Sequence, residues 1–232
     1  MSVERNLIIS LLKLSKTRSV LTEAINLDSR LPMETMENLL EKLQNEGLIN
    51  LEDNQLTVDS TDRLKLAVKA ASLGADVQVI SHLLAWQEFE DIAAFALKSY
   101  GYTVSTNVHF KHATKRFEID VVGCRKPLVI CIYCKHWQHA IGASSLRKIV
   151  EEQIERTKAF AESLPNPKSN MECTKWQNAK FLPAIVFLFR CQYKYYYEVP
   201  IVPILQLQDF LNHLPVHIES LKYFPKSYSQ LK

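Results

Sequence analysis

The spacing of apolar residues divides the chain into a helical first part and a mixed second part. In the first part, the pattern predicts helices followed by a two-stranded hairpin, over 4–15, 21–25, 32–47 and 48–58. Pro32 can open the third helix, because proline is tolerated in a first turn, and Gly47 can end it. Helices followed by a hairpin are typical of a winged helix, which we predict for residues 1–60.

Helical spacing continues through residues 61–84, which we interpret as linker helices. Beyond them, the pattern alternates between helix and strand, with segments at 87–100, 102–104, 116–122, 128–134, 144–163, 181–191, 195–202 and 204–214. The interval 164–180 is rich in polar residues and is predicted to be a loop. This order predicts an α/β domain over residues 85–232, with helices flanking a mixed sheet.

Two neighbouring strands of this domain carry polar side chains. Strict alternation places Glu118 and Asp120 on one face of their strand, and Tyr133 and Lys135 on one face of the next. If the two strands pair as a hairpin, Asp120 and Lys135 can meet near one edge of the sheet. A carboxylate beside an ammonium group suits metal-assisted phosphodiester hydrolysis, in which carboxylates hold Mg²⁺ and the lysine orients the attacking water.

Several short segments carry a family resemblance, namely WQEFEDIA at 86–93, KSYGYTV at 98–104, FEIDVV at 117–122, CKHW at 134–137 and YEVPIVP at 197–203. Over about residues 85–215, the chain resembles the PD-(D/E)XK nucleases, specifically the Mrr-like restriction endonucleases and their archaeal relatives. The resemblance implies a restriction endonuclease-like fold. It also implies Glu90, Asp120 and Lys135 as catalytic residues, with Asp120 and Glu90 as ligands of Mg²⁺. Glu118 is a further candidate ligand, because it shares a strand face with Asp120. The histidine and tryptophan at 136 and 137 are interpreted as packing or capping the strand end.

The chain departs from this family at one position. The family has Asp, Glu or sometimes Gln two residues before the lysine, and here that residue is Tyr133. A phenol is neutral at pH 7 and is a poor ligand for a hard cation. Two interpretations therefore stay open. One is a degenerate, nuclease-derived DNA-binding or assembly protein without a cofactor, and the other is an active Mg²⁺-dependent endonuclease using Asp120, Glu118 or Glu90, and Lys135.

Charge distribution separates the two parts of the chain. Residues 1–60 carry six basic and ten acidic side chains, whereas the remainder carries 22 basic and 15 acidic ones. The predicted third helix has four glutamates and only Lys42 as a base, so it would repel DNA phosphates. We therefore expect DNA to bind the basic C-terminal domain, and the winged helix to bind a protein partner or to self-associate. A transcriptional regulator built on the winged helix is a third interpretation, and the family resemblance implies a homodimer.

Composition limits the protein class further. The hydrophobic fraction is 47% and the charged fraction 23%, which are ordinary values for a soluble globular protein. The cysteines are odd in number, and three lie in or beside apolar strand-like runs, which favours reduced, buried thiols. Long apolar segments and a signal peptide are lacking, so we expect a cytoplasmic protein without a membrane partner. The run from Tyr193 to Tyr197 mixes aromatic rings with Lys194, which suits either nucleic-acid stacking or a half-buried edge strand.

Overall fold

The computed structural model describes residues 3–16, 19–135, 142–166, 171–188 and 192–228. The chain forms two compact units, residues 1–88 and 89–232. The boundaries at residues 60 and 84 were predicted from the sequence pattern and stay predictions. Among the described helices, we find none with the length and apolar character needed to cross a bilayer.

The first unit combines helices with short antiparallel strands. Its elements are α1 (Val3–Leu14), β1 (Val20–Leu21), α2 (Thr22–Ser29), α3 (Met33–Asn45), β2 (Asn50–Glu52), β3 (Gln55–Thr57), α4 (Ser60–Ser72) and α5 (Val77–Leu83). The strands pair in the order β1-β3-β2. Gly47 follows α3 with a φ of +68°, a left-handed conformation that glycine adopts without strain. Strand β1 was not expected from the sequence, since two residues are too few to show a period.

A buried arginine links several elements of this first unit. The side chain of Arg63 on α4 is 2% exposed, and its Nε donates to Oε1 of Glu88 over 2.7 Å. Its Nη1 donates to the carbonyl of Leu12 and to the hydroxyl of Ser15, and its Nη2 donates to the carbonyl of Leu83. Because every nitrogen of this guanidinium has a partner, the buried charge is compensated. Arg63 therefore holds α4 to the ends of α1 and α5.

The second unit contains a mixed sheet flanked by helices, as the sequence predicts. Its elements are α6 (Trp86–Ser99, which belongs to this unit from Phe89 onward), β4 (Thr103–His112), β5 (Lys115–Arg125), β6 (Leu128–Lys135), α7 (Ala143–Ser163), β7 (Asn178–Phe187), β8 (Tyr195–Tyr196), β9 (Val199–Pro203), α8 (Leu207–His217) and β10 (Phe224–Ser227). The strand order is β4-β5-β6-β7-β9-β8, and β10 pairs with β7. Strands β4, β5 and β6 are antiparallel, whereas β6-β7 and β7-β9 are parallel.

Helices α6 and α7 cover opposite faces of this sheet. On one face, a Cβ added at Gly123 would lie 2.9 Å from a methyl carbon of Leu97, so α6 sits directly against the backbone of β5. On the other face, Phe160 of α7 packs in a buried cluster with Cys131 and Phe181. The central strands are therefore buried on both sides, which explains the continuous apolar run in β6.

Two details of this unit differ from the sequence-based expectation. The segment 195–202 was predicted as one strand, but it is a hairpin, because Tyr197 and Glu198 adopt positive φ values of 49° and 62° and reverse the chain. Within the interval 164–180, predicted as a loop, residues Glu172–Lys175 form a 3-10 helix, and β7 already begins at Asn178. Strand β10 was missed, since it lies beyond the last apolar run.

Buried thiols line the interior of this unit. Cys124, Cys131, Cys134 and Cys173 are free and buried, and the first three lie in strands. The fifth cysteine, at position 191, lies outside the described residues.

Candidate active site

Asp120 lies where the pairing of β5 with β6 ends. The last paired residues are Val121 and Ile132, and just beyond them Oδ2 of Asp120 accepts a hydrogen bond of 2.7 Å from the backbone N–H of Cys134. The side chain is buried, with 6% of the residue exposed. Burial is the main cause that raises the pKa of Asp120 to about 6, while the positive charges of Arg156 and Lys135 act in the opposite direction. A carboxylate and a lysine from two adjacent strands thus lie within electrostatic reach, as the hairpin pairing implied.

The predicted alternation along β5 is wrong at this point. Strict alternation would place Phe117, Ile119 and Val121 together on the face opposite Glu118 and Asp120, but Ile119 packs in the same cluster as Val122 and Cys124. In β4, Val108 pairs with Ile119 and Thr106 pairs with Val121, while the intervening Asn107 has a φ of +51°. This local distortion opposite Asp120 shifts the alternation by one residue. A period of two read from the sequence cannot show such a shift.

Glu90 supplies a second buried carboxyl group from α6. Only 3% of the residue is exposed, and its Oε1 atom has no hydrogen-bond partner within the described part of the chain. Burial raises the pKa of Glu90 to about 7, with further contributions from the negative charges of Asp120, Glu118 and Asp91. Taken alone in the sequence, Glu90 suits a solvated position on a helix. The fold instead buries it near Asp120.

Glu118 borders this pair without being buried. Its side chain is 47% exposed, and one of its oxygens lies 3.9 Å from Nδ1 of His109. Its charge raises the pKa values of both Glu90 and Asp120, so it lies within electrostatic reach of them. Glu151 and Glu152 were weighed as further carboxylates from the sequence. Both are exposed on α7, and Glu151 accepts a hydrogen bond from Arg147.

The raised pKa values make the stability of the protein depend on pH. A carboxyl whose pKa is higher in the folded state than in the unfolded state stabilises the fold most at low pH. Its contribution is complete when the pH lies below the pKa of the unfolded state, which is 4.5 for Glu90 and 3.8 for Asp120. That contribution is lost as the pH rises through about 6 to about 7. In metal-free buffer, we expect the thermal midpoint at pH 8 to be lower than that at pH 5 by about 2–4 °C or more.

The matched variant is the double substitution Glu90→Gln with Asp120→Asn, measured by the same thermal unfolding. Because amides do not titrate, its midpoint should change less over this pH range than that of the wild type. Equal slopes for the two proteins would show that these carboxyls are not the source of the pH dependence.

Tyr133 occupies the place where the family resemblance implies an acidic residue. Its ring is partly buried against an apolar cluster that includes Leu146 and Ile185. Nζ of Lys135 donates a hydrogen bond of 3.3 Å to the phenol oxygen. The guanidinium carbon of Arg156 lies 4.6 Å from the ring centroid, a cation–π contact. The lysine and the arginine are therefore both held at this tyrosine.

Arg156 and Gln153 belong to the site but were not found from the sequence. Gln153 on α7 is fully buried, and its amide nitrogen donates to the carbonyl of Cys131 over 2.7 Å. Its amide oxygen accepts a hydrogen bond of 2.9 Å from Nη1 of Arg156. Gln153 stands on the apolar stripe of α7, between Val150 and Phe160. A polar residue on a buried stripe was the signal that could have pointed to it.

The residues present fit Mg²⁺ poorly. An unpartnered oxygen on Glu90 and the raised pKa values of two carboxyls would suit a cation. However, Tyr133 offers no anionic oxygen, and Arg156 already brings a positive charge close to Asp120. Among the described residues, we find no group of three or more His, Cys, Asp or Glu side chains that could hold a metal ion. The assignment of Asp120, Glu118 and Glu90 as ligands stays a prediction. The residues at 136 and 137 lie outside the described part of the chain.

This arrangement agrees with a comparison of the chain with known families. A restriction endonuclease family model matches residues 82–159. The matched segment includes Glu90, Asp120, Tyr133 and Lys135, so the site lies in a restriction endonuclease-like domain. An uncharacterized protein of Archaeoglobus fulgidus is 26% identical over 134 residues, which cover 57% of this chain and 94% of that protein.

Two solved structures are also similar to this chain. Protein VC1899 from Vibrio cholerae is 14% identical over 94% of this chain and 50% of its own, with a TM-score of 0.38. Can2 from Sulfobacillus thermosulfidooxidans, in complex with cyclic tetra-adenylate, is 11% identical over 94% of this chain and 51% of its own, with a TM-score of 0.39. The chain spans about half the length of these two proteins.

Proposed function

We propose that the restriction endonuclease-like domain is a nuclease-derived DNA-binding or assembly domain with a degenerate hydrolytic centre. The observation that supports this proposal is the position of Tyr133. Its phenol stands where the related nucleases have a carboxylate, with Lys135 on its oxygen and Arg156 on its ring. A neutral ring between two cations leaves Asp120 and Glu90 without the anionic partner that a divalent cation needs.

The same substitution favours binding of a phosphate group. Lys135 and Arg156 carry positive charges that can pair with the anionic oxygens of a phosphodiester. A guanidinium can contact phosphate through two N–H groups. Gln153 fixes the position of Arg156 through a buried amide, so the cation is already oriented before DNA arrives. Burial raises the pKa of Glu90 to about 7, so this carboxyl near Asp120 carries only part of its negative charge at neutral pH.

Duplex binding by the full chain tests this proposal. We expect salt-dependent binding of a labelled duplex in fluorescence anisotropy, because neutralised phosphates release counterions. Arg156→Ala should weaken the affinity about tenfold, since a hydrogen bond to a charged group is lost. It should also lower the slope of log affinity against log salt by about one.

Arg147→Ala is the matched control for this experiment. Arg147 lies on the same helix, is 60% exposed, and pairs with Glu151 over 2.8 Å. Its removal should change the affinity less than about twofold, as expected for an exposed pair. A wild-type protein that binds no duplex at any salt concentration would refute the DNA-binding proposal.

The second candidate function is an active Mg²⁺-dependent endonuclease that uses Asp120, Glu118 or Glu90, and Lys135. The observation that favours it is the buried Oε1 atom of Glu90, which has no hydrogen-bond partner among the described residues, because a bound ion is one explanation of such a group. Incubation of plasmid and branched DNA with Mg²⁺ or Mn²⁺ separates the two candidates. Cutting that disappears in both Asp120→Ala and Lys135→Ala would support the enzyme.

For the first unit, we propose a winged helix that contacts a protein partner or a second copy of the chain. Glu34, Glu37 and Glu41 are exposed on α3, so the free side of this helix is acidic. Lys42, its only base, pairs with Glu4 over 2.9 Å. Phosphate binding by this surface is therefore unfavourable. Homodimer formation and a cytoplasmic location also stay proposals, and light scattering of the purified chain tests the former.

A further inference from the structure

A cavity of about 440 Å³ lies in the second unit, outside the candidate active site. The hairpin of β8 and β9 forms one wall, and α8 forms the other. Its volume falls within the range of small-molecule sites, roughly 300–1,000 Å³. The proposed function gives this cavity no role.

The wall contributed by α8 combines polar side chains with an aromatic ring. Its lining residues follow helical spacing and are Asp209, Phe210, His213, Leu214 and His217, with Gln206 just before the helix. The apolar stripe of α8, which is Leu207, Leu211 and Leu214, is buried. Beside it, the imidazoles, the amide and the carboxylate stay exposed at the rim of the cavity. Nδ1 of His213 lies 2.8 Å from the carbonyl oxygen of Asp209, which orients that imidazole at the rim.

The hairpin wall contains the aromatic and basic run that the sequence pointed out. Tyr193, Lys194 and Tyr195 all line the cavity. Tyr195 pairs with Pro200, another lining residue, whereas Tyr196 pairs with Val199 and packs in the buried core. Alternation along the hairpin therefore directs Tyr195 to the cavity and Tyr196 to the interior. Tyr195 is a large aromatic residue, yet half of its surface remains exposed.

The chemistry of the lining narrows the class of ligand. Buried Ile201 and Leu214 give an apolar floor, and Tyr195 and Phe210 supply one aromatic ring from each wall. A planar heterocycle could stack on these rings, while amide and imidazole groups at the rim could bond to its polar edge. Lys194 adds a positive charge beside them, suited to an attached phosphate.

We propose that this cavity binds one nucleotide unit, with its base stacked on Tyr195 and Phe210 and its phosphate near Lys194. The nucleotide can belong to an unpaired position of a single strand or be a free mononucleotide. This site goes beyond the proposed duplex-binding function, since it recognises an unpaired base rather than a duplex backbone.

The experiment measures binding of the full chain to three probes. These are a labelled oligothymidylate by anisotropy, and thymidine monophosphate and a blunt duplex by titration calorimetry. Tyr195→Ala and Phe210→Ala should each weaken binding of the single strand or the mononucleotide about tenfold or more, because a base loses its stacking partner. Tyr195→Phe keeps the ring and should bind within about twofold of the wild type. Binding of the oligothymidylate alone would identify a single strand as the source of the nucleotide, and binding of thymidine monophosphate would identify a free mononucleotide.

Tyr197→Ala is the matched control, because Tyr197 is as exposed as Tyr195 and lies on the same hairpin, but does not line the cavity. Each variant is first checked for an unchanged thermal midpoint, and Tyr195→Phe covers the case in which an alanine variant does not fold. The proposal is overturned if neither single strand nor mononucleotide binds the wild type. It is also overturned if Tyr195→Ala and Phe210→Ala lose no more affinity than Tyr197→Ala. Loss of duplex binding in Arg156→Ala is a separate result, so the two proposals can fail independently.

Discussion

Replacing Tyr133 by glutamate is expected to produce Mg²⁺-dependent DNA cleavage at least about 10- to 100-fold faster than that of the wild type. The magnitude follows from metal sites in general, where the loss of even a supporting residue costs that much affinity or activity. The introduced carboxylate would stand beside Lys135, whose charge also reaches Asp120. It would supply the anionic oxygen that the phenol lacks. Nicking of supercoiled plasmid over time, with Mg²⁺ and with EDTA, measures the effect.

A second measurement on this variant does not depend on catalysis. Without metal, the added charge repels Asp120 and should lower the thermal midpoint, and Mg²⁺ should then raise it by binding only the folded state. Tyr133→Phe is the control, since it keeps the ring and adds no charge. Combining Tyr133→Glu with Lys135→Ala should abolish the gained cleavage. If Tyr133→Glu cuts no faster than the wild type, the loss of this carboxylate is not what limits hydrolysis.

Arg63→Met is expected to lower the free energy of unfolding of the first unit by about 3–5 kcal/mol. The methionine can fill much of the space, but it leaves the carboxylate of Glu88, whose side chain is 12% exposed, without its charged partner. The carbonyls of Leu12 and Leu83 also lose a donor. Urea denaturation followed by hydrogen exchange of peptides from α4 reports on this unit separately.

Lys65→Ala provides the comparison within the same helix. Lys65 pairs with Asp62 one turn earlier, and its side chain is 46% exposed. Because solvent screens such pairs, its removal should cost less than about 1 kcal/mol. Similar losses for Lys65→Ala and Arg63→Met would mean that burial of the arginine is not important for stability.

Much of the architecture could be predicted because it depends on local periodicity. The helical spacing of apolar residues located α1, α3, α6 and α7 to within a few residues, and the continuous apolar run located β6. Elements that depend on distant partners were missed. Strand β10 forms only by pairing with β7, and the reversal at Tyr197 and Glu198 depends on backbone angles that the apolar pattern does not encode.

The sequence by itself determined which groups the site can contain, and in particular that a neutral phenol replaces an acid two residues before Lys135. That substitution is a matter of residue type and needs no coordinates. Only the tertiary structure decided that Glu90 is buried beside Asp120, and that Gln153 brings Arg156 onto the ring of Tyr133. These contacts join α6, β5, β6 and α7, and both burial and the pKa shifts that follow from it arise only when those elements pack together.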